Sequence, residues 1–197
     1  MDQATIAVIL GSTRENRFAD KPGRWIADKL GQRAGVTSRL LDLREFPLPF
    51  FDAPMSPMAT AEPSKHEAVR RWSEEIAAAD GYVFITPEYN HGLPAVLKNA
   101  IDWLYKEWNR KPAAFVAYGN ALGARAVEQL RLVASEVQLA PLRASVHIPV
   151  PTLWAHFQGG DVAAGLAELD KPADAMIDDL LWWTRALSAA RRASRAA

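Results

Sequence analysis

Residues 86–105 read TPEYNHGLPAVLKNAIDWLY and follow the apolar run Tyr82-Val83-Phe84-Ile85. Such a run, too short for a helix, is the pattern of a strand buried on both faces of a parallel sheet. It opens into Pro-Glu-Tyr-Asn-His-Gly, which sets a carboxylate, a phenol, an amide and an imidazole side by side. Helical spacing then resumes with Val96, Leu97, Ala100, Ile101 and Leu104. Pro94 falls in the first turn, where a missing N–H costs nothing. A plain connector needs only turn formers, so this loop is expected to face a ligand.

The same cadence of strand, loop and helix runs along the chain. Residues 4–10 form an apolar strand that ends at Gly11-Ser12-Thr13, and Trp25, Ile26, Lys29 and Leu30 mark a helix with Pro22 near its start. A second strand is expected at 38–43, closed by the loop Phe46-Pro47-Leu48-Pro49-Phe50-Phe51. Ala68, Trp72, Ile76 and Ala79 set a helix over 64–79, and residues 82–86 give the third strand. The fourth strand, 113–118, passes through Gly119-Asn120-Ala121 into a helix carrying Val127, Leu130 and Val133. A fifth strand is expected at 144–148, a last helix over 172–190, and a solvated, flexible basic tail over 191–197. No internal repeat or second domain interrupts the pattern, so residues 1–197 read as a single domain.

Alternating strands and helices specify a doubly wound parallel α/β sheet with helices on both faces. Five strands favour the flavodoxin-like order 2-1-3-4-5, in which ligands bind beyond the carboxyl ends of the strands where the order reverses. The loops at that point, 11–19, 87–93 and 119–122, are the three most unusual in the chain. Their coincidence places the site.

Composition narrows the chemistry. Lys+Arg and Asp+Glu both number 23, so overall charge offers no basis for nucleic-acid binding or for a strongly acidic electron carrier. Without cysteine, the chain has no disulfide, thiolate metal site or cysteine nucleophile. Met1-Asp2-Gln3-Ala4 lacks a basic leader, and no apolar run is long enough for a membrane span, so a cytoplasmic protein is expected. Four scattered histidines show no metal-ligand spacing, and no metal is expected. His66 reads as a surface residue, His147 as a bonded or packed one, and Trp108 as an exposed aromatic of a subunit interface. Trp154-Ala155-His156-Phe157 either closes over a ligand or simply packs as a loop.

In the first loop, Ser12 and Thr13 hydroxyls, helix-start N–H groups and the Arg14 and Arg17 guanidinium groups suit a phosphate monoester. The alternative is a capped helix start with solvated arginines. Neither G-x-x-x-x-G-K-[ST] nor G-x-G-x-x-G is present, which disfavours a nucleoside triphosphatase and an ordinary dinucleotide fold. In the second loop, N–H groups of Glu88 to Asn90 would bond a flat heteroaromatic ring, with Tyr89 along its edge. Gly92 would supply the tight turn.

The segments GSTRENR, PEYNHGLPAVLKNAIDWLY and YGNALGARAVEQLR resemble, in order and spacing over roughly residues 5–150, the NAD(P)H-dependent FMN reductases. These flavodoxin-like enzymes include quinone, chromate and azo-dye reductases. The resemblance implies that Ser12, Arg14 and Arg17 hold the FMN phosphate. It further implies that Pro87, Glu88, Tyr89 and Asn90 line the isoalloxazine and ribityl chain, and that Gly119 and Asn120 border the ring. Close relatives have a glycine-richer third loop, so Asn120 is a departure. The implied activity is ping-pong transfer from NADPH or NADH through FMN to a small-molecule acceptor such as a quinone, an azo compound or free flavin, with no catalytic acid, base or nucleophile from the protein. The implied assembly is a homodimer or homotetramer without nucleic-acid or membrane partners. A flavodoxin-type electron carrier lacking its own NAD(P)H step is the alternative, and a flavin-free regulatory protein a further one.

Overall fold

The computed structural model describes residues 3–60 and 63–196. Five strands, β1 (Ala4–Leu10), β2 (Val36–Asp42), β3 (Gly81–Pro87), β4 (Pro112–Tyr118) and β5 (Ala140–His147), form one sheet. All pairings are parallel and the order is β2-β1-β3-β4-β5, as the sequence predicts. Side chains alternate across the pleat, so each strand feeds two cores. Ala7, Ile9, Tyr82, Phe84, Phe115 and Ala117 face helices α2 (Glu67–Ala78), α3 (Ala95–Asp102) and α4 (Ala124–Glu136). Ile6, Val8, Leu10, Val83, Ile85 and Val116 face α1 (Asp20–Gly31), α6 (Val162–Ala167) and α7 (Asp170–Ala196). Another helix, α5 (Val150–Gln158), follows the fifth strand.

Differences from the sequence reading have local causes. β5 begins at Ala140 rather than 144 because an edge strand tolerates Pro141, whose missing donor faces away from the ladder. Helices α5 and α6 lie where a loop was expected. Pro151 sits in the first turn of α5, and the almost continuous apolar run VPTLWAHFQ carries no polar stripe to reveal a helix. The start of the expected basic tail is helical. α7 continues through Arg191, whose guanidinium reaches Asp80 Oδ1 (2.9 Å), Ser188 Oγ (2.9 Å) and the Arg110 carbonyl (2.7 Å). Ala197, the end of the expected tail, lies outside the described residues, as do Met1 and Asp2.

Trp108 overturns the interface expectation. Helix α3 ends at Asp102, so the apolar stripe cannot be extended to residue 108, and the chain folds the indole inward. It is fully buried against Trp72, Tyr82 and Phe84, with ring centroids at 6.2, 4.9 and 6.1 Å, and donates to the Ile101 carbonyl (3.2 Å). His66 is likewise not a surface residue: its half-buried ring packs edge-on against Trp103 at 5.5 Å. Trp108→Ala is expected to cost about 3–5 kcal/mol of stability, the range for deleting a buried aromatic. Urea denaturation checks the cost. Sedimentation of the folded variant should show an unaltered oligomeric state, which an interface tryptophan would not permit.

Candidate functional site

The carboxyl ends of β1, β3 and β4 lie side by side, with Leu10 opposite Ile85 and Pro87 opposite Tyr118. Gly11 continues the register by donating to the Ile85 carbonyl (2.8 Å), and a Cβ at Gly11 would meet that oxygen at 2.9 Å. The first loop therefore leaves the sheet pressed against the second. Buried Ser12 then shares a 2.7 Å hydrogen bond with the Tyr89 hydroxyl, which joins the two loops directly.

Beyond Ser12 the chain turns toward α1, and the environments of its two arginines diverge. Arg14 is exposed, with its guanidinium carbon 5.7 Å from the Tyr89 ring centroid. Arg17 is 2% exposed at its side chain and sits between Asp20 and Asp42. A guanidinium has five N–H donors. Those of Arg17 go to Asp20 Oδ1 twice, to both Asp42 oxygens and to the Ser12 carbonyl. No side-chain donor is left over, so the Arg17 guanidinium braces the loop and only its backbone N–H stays open, while Arg14 keeps its guanidinium available.

Electrostatics follow from that arrangement. Burial alone would lower the Arg17 pKa, but hydrogen bonds and attraction from Asp42 and Asp20 outweigh it and hold the value above normal. Burial would likewise raise the Asp42 carboxyl, yet bonds from Arg17 and the Arg44 N–H hold it below its ordinary value. Burial pushes the Tyr118 phenol well up, so it stays neutral under the loops.

The second loop is a tight turn closed by reciprocal bonds between Tyr89 and Gly92 (3.0 and 3.1 Å). Asn90 and His91 supply its positive φ angles, 48° and 75°, the signature of a type I′ turn. Gly92 itself has no positive φ, and a Cβ there would meet only the flexible end of the Gln129 side chain, at 2.6 Å. The Glu88 N–H bonds to the Tyr118 carbonyl (2.9 Å) and that of Tyr89 to Gly92, so two of the three amides expected to bond a ring are consumed internally.

The Glu88 side chain is also redirected. Its carboxylate is 4% exposed, pairs with the Arg125 guanidinium and accepts the Arg125 N–H (3.1 Å) at the start of α4. Arg125 bonds onward to His91 Nδ1 (2.9 Å), and Gln129 donates to the His91 carbonyl (3.0 Å). Arg125 can only donate, so His91 Nδ1 accepts. The third loop approaches through Gly119, at φ 149°, where a Cβ would lie 3.1 Å from Glu88 Cβ. Asn120 is exposed. His147 donates from Nδ1 to the Leu122 carbonyl (2.9 Å) and accepts at Nε2 from Ser145 Oγ (2.8 Å), a bonded histidine as expected.

Ser12, Arg14, Pro87, Tyr89, Asn90, Gly119 and Asn120 are thus gathered at the strand ends, while the Arg17 and Glu88 side chains turn under the loops. Sequence reasoning missed Arg44, Arg125 and Gln129, and named His156 only within the segment 154–157. Arg125 lies 37 residues from Glu88 with no local pattern to link them.

An FMN phosphate fits the first loop on its donor set. Among the described residues, the N–H groups of Thr13, Glu15, Asn16, Arg17 and Phe18 have no intramolecular acceptor, and Arg14 supplies a cation beside them. A flavodoxin-like sheet whose crevice presents open amides and an available arginine defines a flavin-nucleotide enzyme scaffold. The chain belongs to the NADPH-dependent FMN reductase family, whose model matches residues 4–151. It is an oxidoreductase that uses FMN with NAD(P)H as co-substrate.

Individual relatives agree with this assignment. An NAD(P)H-dependent FMN reductase of Schizosaccharomyces pombe is 37% identical over 146 residues, 73% of each chain. A 2-hydroxy-1,4-benzoquinone reductase of a Burkholderia species is 32% identical over 126 residues, 60% of this chain and 61% of the relative. FerB, a flavoenzyme NAD(P)H:(acceptor) oxidoreductase from Paracoccus denitrificans, superposes with a TM-score of 0.68 at 26% identity over 92% of this chain and 97% of its own. Among the described residues no helix is long and apolar enough to cross a membrane.

Asp42→Asn should cost about 3 kcal/mol at neutral pH, because it strips a buried guanidinium of part of its counter-charge. The sign with pH follows from the lowered carboxyl. Its stabilisation is complete above the ordinary value of 3.8 and is lost as pH falls through the lower folded-state value. Urea midpoints of wild type and variant should therefore converge as the pH drops below 3.8.

Proposed function

We propose that the enzyme reduces a quinone-class or azo acceptor at the expense of NAD(P)H, with both substrates using the crevice above β1, β3 and β4 in turn. The observation that carries this reading is the open amide set of the first loop beside Arg14, bridged to the second loop by the Ser12–Tyr89 bond. Bound FMN supplies the two-electron relay, and the protein supplies binding, orientation and electrostatics. Arg14 with the loop amides holds the phosphate, and the Asn90 and Gly119 backbone borders the ring.

Support for a quinone acceptor comes from the Burkholderia relative's activity and from the acceptor breadth in the name of FerB. Alternating use is the order expected of two substrates that share the strand ends. A homodimer belongs to this reading. Its support is now the exposed Phe50, Met55 and Met58 on the segment between β2 and α2, rather than Trp108. A cytoplasmic location gives the enzyme its NAD(P)H supply.

Varying NADPH against a benzoquinone should give parallel double-reciprocal lines, and intersecting lines with a demonstrated ternary complex would remove the alternating scheme. Arg14→Ala should weaken FMN about 10- to 150-fold, since a hydrogen bond to a charged group contributes roughly 1.5–3 kcal/mol. Riboflavin, which lacks the phosphate, should bind wild type and variant alike in fluorescence titrations. Equal losses for both ligands would move Arg14 from the phosphate site to a folding role.

A further inference from the structure

The first loop has unusually placed partners for its carbonyls. Arg44, just beyond β2, donates from Nε to the Thr13 carbonyl (3.3 Å) and from Nη2 to the Arg14 carbonyl. His156, on α5, is bonded through Nε2 to the Asn16 carbonyl (3.1 Å), and since a carbonyl only accepts, His156 donates. Its ring also packs edge-on against buried Phe18 at 5.6 Å, which fixes where the imidazole stands. Arg17 takes the Ser12 carbonyl. Side chains from the turn after β2, from α5 and from the loop itself therefore hold the carbonyls of Ser12, Thr13, Arg14 and Asn16.

In a trans peptide the C=O of one residue and the N–H of the next lie in one plane and point in opposite directions. Holding those four carbonyls therefore sets the direction of the N–H groups of Thr13, Arg14, Glu15 and Arg17. Three of these, Thr13, Glu15 and Arg17, have no intramolecular acceptor, and that of Arg14 has only a long 3.5 Å contact to Ser12 Oγ. Neighbouring orphan amides are donors that an anion can use, and fixing them in advance removes ordering entropy from binding.

We propose that Arg44 and His156 are positioning residues of the phosphate site: by holding the Thr13, Arg14 and Asn16 carbonyls they fix the orientation of the Arg14, Glu15 and Arg17 amides in advance. The proposal rests on the phosphate reading above. Arg44 and His156 act through the backbone and not by touching the cofactor, and so they extend the site to the turn after β2 and to α5, which contribute no ligand.

The test uses full-length Arg44→Ala, His156→Ala and His156→Gln, the last of which restores a side-chain N–H donor. Backbone amide NMR order parameters of residues 12–18 in the apoprotein should fall in both alanine variants and return toward wild type in His156→Gln. FMN should bind each alanine variant about tenfold more weakly, as loss of one net hydrogen bond implies, with riboflavin within twofold of wild type and the melting temperature of the apoprotein little altered. Equal weakening of FMN and riboflavin would overturn the proposal, since the residues would then serve the fold at large. Weaker FMN with unaltered loop order would overturn it too, because Arg44 would be contacting phosphate directly. If wild type itself failed to bind FMN, the phosphate reading would fall, and the order parameters would still decide whether the two side chains hold the loop.

Discussion

The site depends on one cation, the Arg17 guanidinium, spread across three pieces of chain. It ties the Ser12 carbonyl at the exit of β1 to Asp42 at the end of β2 and to Asp20 at the start of α1. A buried pair of this kind is weak evidence of net stability, because desolvation cancels much of the attraction. Geometry is what it supplies. A planar fork with every donor used admits one arrangement of the three acceptors, so the first loop leaves the sheet at a fixed angle. Asp42 is shared further, since the Arg44 N–H reaches Asp42 Oδ1 (2.9 Å), and that contact sets the backbone from which the Arg44 side chain returns to the loop.

A second ion pair does the corresponding work on the other side of the crevice. The Glu88 carboxylate binds Arg125 by both its backbone N–H and its guanidinium, at the N-terminal turn of α4, where negative charge is favoured by the helix dipole. That turn also carries the bond to His91, and Gln129 one turn on holds the His91 carbonyl and the Leu93 N–H. The left-handed Asn90-His91 corner would be costly unsupported, and α4 supplies the support. Each loop is thus fixed from beneath by a buried charge, and the Ser12–Tyr89 bond closes the gap between them.

Fold and site were legible to different depths for a physical reason. Strand order and both cores follow from apolar periodicity, which is local: β1 lies at residues 4–10 as read, and the order 2-1-3-4-5 needs only five strands alternating with helices. The loops were legible as a cluster, and Ser12, Arg14, Tyr89 and Gly119 come together where the strand order reverses. Which side chains face a ligand was not legible. Arg14 and Arg17 are indistinguishable as letters, and it is the acidic residues around Arg17 that engage its guanidinium. Glu88 likewise meets its partner 37 residues away. Trp108 was misread because its place beyond the helical apolar stripe was taken for exposure, whereas the helix ends at Asp102 and the indole folds inward.

The zero net charge of the chain acquires meaning at this scale. An anion site built from several bare arginines would attract phosphate from a distance, but it would also bind many anions and pay to order long side chains. Here Arg17 is neutralised by two carboxylates, Arg44 is turned onto carbonyls, and Arg14 alone of the loop's arginines keeps a free guanidinium near the crevice. Peptide dipoles supply the remaining donors, and they carry no net charge and little entropy once their carbonyls are held. On the proposed reading, such a site would recognise the shape of a phosphate more than its charge. Salt should consequently weaken its grip on FMN only about as much as one screened cation allows, less than a cluster of exposed arginines would imply.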